Sequence, residues 1–354
     1  MAKLRGKVMI GLFCGILGLS FPVFNLFSKQ LSMDNHENRL LTGLPQVLHS
    51  PPQELLPNLD QFLVDNAPFR YQMVALDANL DYALFGTSQS SQVLAGKDGR
   101  LFYKDGAQAA RPVANYQGLE STFDDELVLA ETSAGLQRFS DALAESGCTL
   151  VLDLTPSKDR VYREYMPEGY PIVNEENRTD RFVAYMRSHT TVPVSWQYQA
   201  LRERAVDNPG QPLYYKTDTH WNQAGALLGL DGVLAAAGME VADFSAYHFV
   251  EDGTHSGDMA NVAALYTMLP PDPEYKADNY AGMYEVDNRT VGVIGDSFSE
   301  AYMPYLEQRF AAAWRAHIDT LAPEMAHNPG CDLLILEVTE RTLDQLIGVL
   351  TQDF

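Results

Sequence analysis

From Ser133 onward the chain alternates stretches of helical spacing with short apolar runs, and this alternation limits most strongly what it can fold into. Ser133 to Ser146 has helical spacing and leads into Thr149 to Leu154, and Thr179 to Ser188 leads in the same way into Val192 to Trp196. Asn222 to Ala237 is a further helix, rich in Ala and Leu. Thr290 to Ile294, a weaker run near Ala311 to Ile318 and the strong run Leu333 to Val338 follow, before Arg341 to Leu350 closes as a helix. Apolar runs of this length, bounded by turn residues, read as buried strands. Strands joined through helices pair in parallel and are covered on both faces, so the pattern predicts an α/β fold with a parallel sheet flanked by helices. Functional groups in such sheets gather at the carboxyl ends of the strands. Ser297, Thr155-Pro156 and Glu337 to Arg341 fall at such ends.

Two segments carry the chemistry. Gly295-Asp296-Ser297-Phe298 follows the strand ending at Ile294 and precedes a stretch that reads as helical. A serine at a strand-to-helix turn has its hydroxyl exposed at the sheet edge, and the N–H groups of the helix start can stabilise an oxyanion. Asp218-Thr219-His220-Trp221-Asn222 supplies the remaining parts of a nucleophilic site. His220 can take the Ser297 proton and Asp218 can orient the imidazole, which is the division of labour in a Ser-His-Asp triad. In extended backbone, residues two apart face the same way, so Asp218 and His220 are expected to point into one cleft. Gly-Asp-Ser alone is a common turn, and Asp-x-His alone could be a helix cap or half of a metal site. The conjunction of both segments with the strand-turn-helix context favours the triad.

Charge excludes one class of partner. The chain has 47 acidic and 25 basic residues, a formal net charge of -22, and nucleic-acid binding needs a basic surface. Near the start, Lys3, Arg5 and Lys7 precede the uncharged run Val8 to Phe27, long enough to span a bilayer as a helix. A basic flank stays cytoplasmic, which sends the bulk of the chain to the far side. No Ala-x-Ala-like site closes the run, so an uncleaved signal anchor is favoured over a cleaved signal peptide. The three cysteines are too few to hold the fold together. Cys148 and Cys331 each precede a strand, and both a pair and two free thiols are compatible with that placement.

The expected organisation is a signal anchor or signal peptide over 1–30, a stem and N-terminal helical region over 31–90, and a catalytic domain over 91–354. Residues 31 to 58 are polar and Pro-rich, as in a stem or extended arm. Leu59 to Phe85 has helical spacing, and Val93 to Tyr103 reads as a hairpin around Lys97-Asp98-Gly99.

Tyr214-Tyr215-Lys216-Thr217-Asp218-Thr219-His220-Trp221-Asn222, followed by Gly225-Ala226, resembles the Asp-x-His-Trp block of the alginate O-acetyltransferase family. Val293-Ile294-Gly295-Asp296-Ser297-Phe298 resembles that family's nucleophile block. Glu37-Asn38-Arg39, Asp65 to Arg70, Gly96 to Tyr103, Thr155-Pro156-Ser157-Lys158, Gly257-Asp258-Met259-Ala260 and Leu333 to Arg341 lend support over most of the chain. The family is similar to SGNH/GDSL hydrolases with the motif order permuted, the Asp/His block preceding the Ser block. The resemblance implies Ser297 as nucleophile, His220 as general base and Asp218 as its orienting acid. It also implies an exported periplasmic enzyme, anchored to the inner membrane, that acetylates an exopolysaccharide with acetyl groups supplied by an integral membrane acyltransferase.

Family members that act alone on polymer often carry a C-terminal carbohydrate-binding module. This chain ends shortly after its last expected strand, which favours grip on the polymer through a partner complex. The acidic charge suits a neutral, cellulose-like acceptor better than an alginate-like one. Tyr302, Lys158 and Arg341 are candidates for lining the cleft, against helix packing, a solvated loop charge and a salt-bridged helix start as their alternatives. Trp221 is read as a core or cleft-wall aromatic. His248, His255 and His317 lack partners at metal-ligand spacing and are read as surface or loop residues, and no metal or cofactor is expected. Two rival functions stay open: an acetylesterase of the same fold, and a non-catalytic scaffold of a polysaccharide-export complex.

Overall fold

The computed structural model describes residues 2–27, 29, 40–104, 111–120, 123 and 126–351. Glu37-Asn38-Arg39 lies outside the described residues. The chain divides into two compact units, Met1–Gln89 with Asn261–Met268, and Ser90–Ala260 with Leu269–Phe354.

The first unit is helical. Ala2–Phe27 is one helix, and its section Lys7–Phe27, of mean hydropathy 1.9, is long and apolar enough to cross a membrane. The helical spacing from Leu59 to Phe85 resolves into two helices, Leu55–Asp65 and Arg70–Phe85. Pro68 causes the break: it has no N–H to continue the ladder and disfavours helical backbone at Ala67. Phe69 then takes a left-handed conformation, φ 60°. The side chains at the break are used locally, since Asp65 accepts the Thr42 N–H at 2.8 Å and Asn66 donates to the Thr42 carbonyl at 3.1 Å.

The second unit holds all nine strands found among the described residues. These are β1 (Val93–Ala95), β2 (Leu101–Tyr103), β3 (Thr149–Thr155), β4 (Val194–Trp196), β5 (Phe249–His255), β6 (Asp272–Ala277), β7 (Asp287–Gly295), β8 (Phe310–His317) and β9 (Leu333–Thr339). Five form the parallel sheet that the alternation predicts, in the order β4-β3-β9-β7-β8. The hairpin β1–β2 forms around Lys97-Asp98-Gly99 as expected. The hairpin β5–β6 was not foreseen, because Glu251-Asp252-Gly253-Thr254 has none of the apolar alternation that marks a strand.

Side chains of the central strands divide by parity between two cores. Val151, Val291, Val293, Leu333 and Ile335 face one core, where they pack with Leu227, Leu230 and Leu234 of the helix Gln223–Ala236. Leu150, Leu152, Leu154, Ile294, Leu334, Leu336 and Val338 face the other. There they meet Leu136, Phe139 and Leu143 of Glu126–Glu145, Phe182 and Met186 of Arg178–His189, and Leu343, Leu346 and Leu350 of Leu343–Leu350. Each fully buried side chain of this kind contributes about 1.5–3 kcal/mol. Cys148 and Cys331 lie at the opposite end of this sheet from Ser297, as free thiols with their sulfurs 3.7 Å apart.

Asn222 caps the helix Gln223–Ala236 by accepting the N–H groups of Ala224 and Gly225. At Gly225 a Cβ would lie 2.1 Å from the Leu213 carbonyl oxygen, so only glycine lets the helix start sit against the preceding loop. Gly225→Ala is therefore expected to destabilise the protein by about 2 kcal/mol, read as a lower midpoint in thermal or urea unfolding. An unchanged midpoint would mean that Leu213 yields without cost.

Candidate active site

The site is assembled at the carboxyl ends of β7, β9 and β3. Gly295 ends β7 where a Cβ would stand 2.7 Å from Glu337 Oε2, so a larger residue would require the Glu337 side chain to shift. Asp296 then turns the chain. Its Oδ1 accepts the Phe298 N–H at 2.9 Å, while Oδ2 accepts the Thr339 N–H at 3.0 Å and the hydroxyls of Thr339 and Thr342 at 2.7 and 2.6 Å. Burial pushes the Asp296 carboxyl up, but the Arg341 charge and these hydrogen bonds more than offset it and hold it below the ordinary range. Ser297 follows as the first residue of a 3₁₀ turn, Ser297–Tyr302, and the α-helix begins only at Met303. The N–H of such a first residue has no acceptor within its own helix.

Asp218 and His220 come together, though not through the extended backbone expected. The loop from Leu213 to Asn222 is a tight hairpin closed by the Tyr214–Trp221 bridge and by Asn222 N–H to Leu213 carbonyl at 3.0 Å. Asp218 Oδ1 accepts both the backbone N–H of His220, at 2.9 Å, and its Nδ1 at 2.6 Å. An imidazole that donates from Nδ1 has Nε2 free as an acceptor, and Nε2 lies 2.7 Å from Ser297 Oγ. Phe298 packs against the imidazole, ring centroids 4.7 Å apart. Trp221 is buried behind them and donates from Nε1 to the Phe298 carbonyl at 3.1 Å, tying the two segments together.

The other Asp218 oxygen is occupied by a residue that sequence reasoning assigned to the surface. His255, the last residue of β5, places Nε2 2.8 Å from Asp218 Oδ2, which also accepts the Asp258 N–H at 2.8 Å. Burial pushes the Asp218 carboxyl up, yet the hydrogen bonds from His220 and His255 hold it well below the usual carboxylate range. No spacing could have revealed His255, because its hairpin has no apolar pattern and reaches Asp218 only through the tertiary fold. Asp258 braces the loop from the same side, accepting the Thr219 N–H at 2.9 Å and hydroxyl at 2.7 Å. Ligand atoms of Asp218, His220 and Asp258 lie within 4.8 Å of one another, but in the described residues they are engaged in these hydrogen bonds.

The three candidates for lining the cleft separate. Arg341 lies in it beside Ser297, its guanidinium 5.2 and 5.4 Å from the ring centroids of Phe298 and Tyr103. Lys158 is buried, and its ammonium donates inward to the carbonyls of Tyr215, Lys216 and Asp218 at 3.1, 3.1 and 2.5 Å. Burial pushes this amine down to about 7 against the pull of Asp218. It supports the loop from beneath and is not a solvated charge. Tyr302 does not line the cleft at all: it is wholly buried, with its hydroxyl donating to Asp153 Oδ2 at 2.7 Å. The cleft, of about 280 Å³, is also bordered by Thr219, Asp258 and His317, so His317 belongs to its rim. His248 is exposed and bonded to Asp278 at 2.9 Å.

A parallel sheet with a Gly-Asp-Ser turn at one strand end, facing an Asp-x-His loop, defines the SGNH hydrolase-like class. Residues 93–313 match the family model described as the SGNH hydrolase-like domain of the acetyltransferase AlgX, and the chain belongs to that family. It is 32% identical over 205 residues to the probable alginate O-acetylase AlgJ of Pseudomonas aeruginosa, covering 55% of this chain and 45% of the relative. To the AlgJ of Pseudomonas syringae pv. tomato it is 26% identical over 257 residues, covering 66% and 61%. The chain thus spans about half the length of the curated relatives it matches. The structure of Bacillus cereus PatB1 shares the fold, with a TM-score of 0.50 at 15% identity, over 73% of this chain and 98% of that one.

The buried acid beneath the site gives a pH-dependent prediction. Burial pushes Asp153 up to about 7, although Ser195 and Tyr302 donate to it at 2.6 and 2.7 Å. Between the ordinary Asp value near 4 and about 7, the folded protein keeps this proton while the unfolded chain releases it, so stability falls as pH rises through that window. Asp153→Asn removes the titration. Its stability relative to wild type should rise from pH 4 to 7 by on the order of 4 kcal/mol in denaturant titrations, and a pH-independent difference would contradict the assignment.

Proposed function

We propose that this chain is an O-acetyltransferase that carries acetyl groups on Ser297 to hydroxyls of an exported polysaccharide. The observation that carries the reading is the continuous chain Asp218 Oδ1, His220 Nδ1 and Nε2, Ser297 Oγ, with contacts of 2.6 and 2.7 Å. Membership of an acetyltransferase family supports acetyl as the group transferred. Ser297 Oγ attacks the acetyl carbonyl carbon while His220 Nε2 takes its proton, and Asp218 stabilises the resulting imidazolium. The oxyanion meets the Ser297 N–H and the field of Arg341. Collapse releases the donor's alcohol or thiol, which regains the proton from His220, and leaves acetyl-Ser297. A sugar hydroxyl then attacks that ester, giving its proton to His220, which returns it to Ser297 Oγ as the bond from the serine to the acetyl group breaks.

The acceptor is an alginate-like or cellulose-like polymer. In this reading residues 1–30 anchor the protein to the inner membrane, 31–90 form a stem and helical region, and 91–354 form the catalytic domain in the periplasm. The apolar helix at Lys7–Phe27 supports the anchor, and the names of the AlgJ relatives support a polysaccharide acceptor. In this reading the acetyl groups are supplied by an integral membrane acyltransferase. The same triad serves hydrolysis when water replaces the sugar, so acceptor chemistry separates transferase from esterase.

The test combines the full-length chain in detergent, a small activated acetyl ester and a panel of mannuronate and cello-oligosaccharides, with acetylated sugar read by mass spectrometry. Wild type should transfer acetyl to one acceptor class, and Ser297→Ala should lose about 10³-fold or more of that rate. Ester loss that depends on Ser297 without sugar product would instead identify an esterase. Unchanged transfer by Ser297→Ala would overturn the assignment of the nucleophile.

A further inference from the structure

The Asp218 carboxylate serves two imidazoles, and only one of them has a part in the proposed reaction. Its two oxygens accept four donors: the N–H and Nδ1 of His220, the Nε2 of His255, and the N–H of Asp258. His255 is held for this contact from several directions. Its ring stacks on Tyr215, centroids 4.2 Å apart and planes 17° apart. The Tyr215 hydroxyl donates to Glu274 on β6 at 2.6 Å, and Glu274 Oε2 lies 3.8 Å from His255 Nδ1. Asp272, also on β6, accepts the N–H groups of Lys216 and Thr217 at 2.8 Å each, and the Thr217 hydroxyl at 2.5 Å. The hairpin β5–β6 therefore clasps the loop from Tyr215 to Asp218 and aims His255 at its acid.

We propose that His255 is a positioning residue acting on His220 through Asp218: its contact fixes the carboxylate, and its charge sets how much of the Asp218 charge is available to the base. The inference rests on the acyl-transfer reading of the site. When Ser297 gives up its proton, His220 becomes cationic. If His255 already carries a positive charge, two imidazolium rings share one carboxylate and repel each other. A charged His255 thus keeps His220 neutral and competent as a base at lower pH. The groups facing His255 favour that charge: Asp218 from the loop, first through its hydrogen bond, with Glu274 and Asp272 from β6 adding to it against the opposing effect of burial, and raise its titration above the ordinary histidine value. Asp258 donates its N–H to the same Asp218 oxygen and its carboxylate lies 4.0 Å from His220 Nδ1, while the buried Lys158 reaches the same loop from beneath.

Two substitutions separate position from charge. His255→Gln keeps an N–H donor but cannot carry a charge, and His255→Ala removes both. The readout is the pH profile of kcat and KM for hydrolysis of a small acetyl ester by the full-length chain. In parallel, the ring nitrogens of 15N-labelled histidines are titrated in a Ser297→Ala background, which needs no turnover. His255→Gln should move the acid limb of kcat/KM to higher pH by about one unit, and the His220 ring signals should change at correspondingly higher pH. His255→Ala should lower kcat about tenfold with KM little changed, and His255→Gln should recover most of that loss. An unmoved His220 titration in His255→Gln overturns the inference, as does an equal loss of kcat in both variants with the acid limb in place. Absence of Ser297-dependent turnover in wild type would count against the acyl-transfer reading alone, because the ring titration still decides the coupling of the two histidines.

Discussion

The hydrogen bond between Asp218 and His220 is the contact on which the rest of the site depends. A side-chain imidazole rotates freely about two bonds, and a general base has to hold one nitrogen toward its nucleophile. Asp218 restrains it from the same residue pair twice, through the peptide N–H and through Nδ1, at 2.9 and 2.6 Å. That restraint in turn requires Asp218 itself to be held. Its carbonyl accepts the Lys158 ammonium and its second oxygen accepts His255 and Asp258, so elements from β3 and from the β5–β6 hairpin converge on one residue. Removing one partner of a buried charged contact of this kind leaves the other exposed to the full cost of desolvation.

A second anchor acts on Ser297. Asp296 fixes the turn of Ser297 by bonding to the end of β9 at Thr339 and Thr342. The residue between those contacts and Arg341 is also locked, since Glu340 pairs with Arg160 at 2.9 Å and Arg160 pairs with Asp180 at 2.9 Å. Arg341 is thereby presented to the cleft by neighbours whose own side chains point into the protein. Buried ion pairs are weak sources of net stability, and here their effect is to fix geometry at the carboxyl end of the sheet. The strongly acidic composition takes on a different meaning in this light. Asp153 and Glu337 lie beneath the Ser297 turn, and burial pushes both carboxyls up, so they act there as hydrogen-bonding groups in the core.

Much of this was legible beforehand, and the limits follow from range. The central strands β3, β7 and β9 were readable because each is an apolar run with side chains buried on both faces. That Ser297, His220 and Asp218 meet at one place was readable because their motifs are contiguous. Tyr302 packs in the core, the alternative its helical position offered, and the Lys158 ammonium turns inward to the loop, because a sequence does not tell which way such a long side chain turns. The Leu59 to Phe85 stretch has helical spacing on both sides of Pro68, and the backbone breaks there into two helices. His255 was missed because its strand is polar and its partner is 37 residues away.

By itself the sequence determined the layering of the fold and the two motifs whose side chains meet at the site. Periodicity and local motif chemistry act over a few residues and are written directly in the order of side chains. The tertiary structure alone decided which oxygen of Asp218 meets which histidine, that the Lys158 amine faces a loop instead of solvent, and that Arg341 borders the cleft with Ser297. Those outcomes depend on packing between segments far apart in the chain, where angles and distances of a few tenths of an ångström decide which hydrogen bond forms.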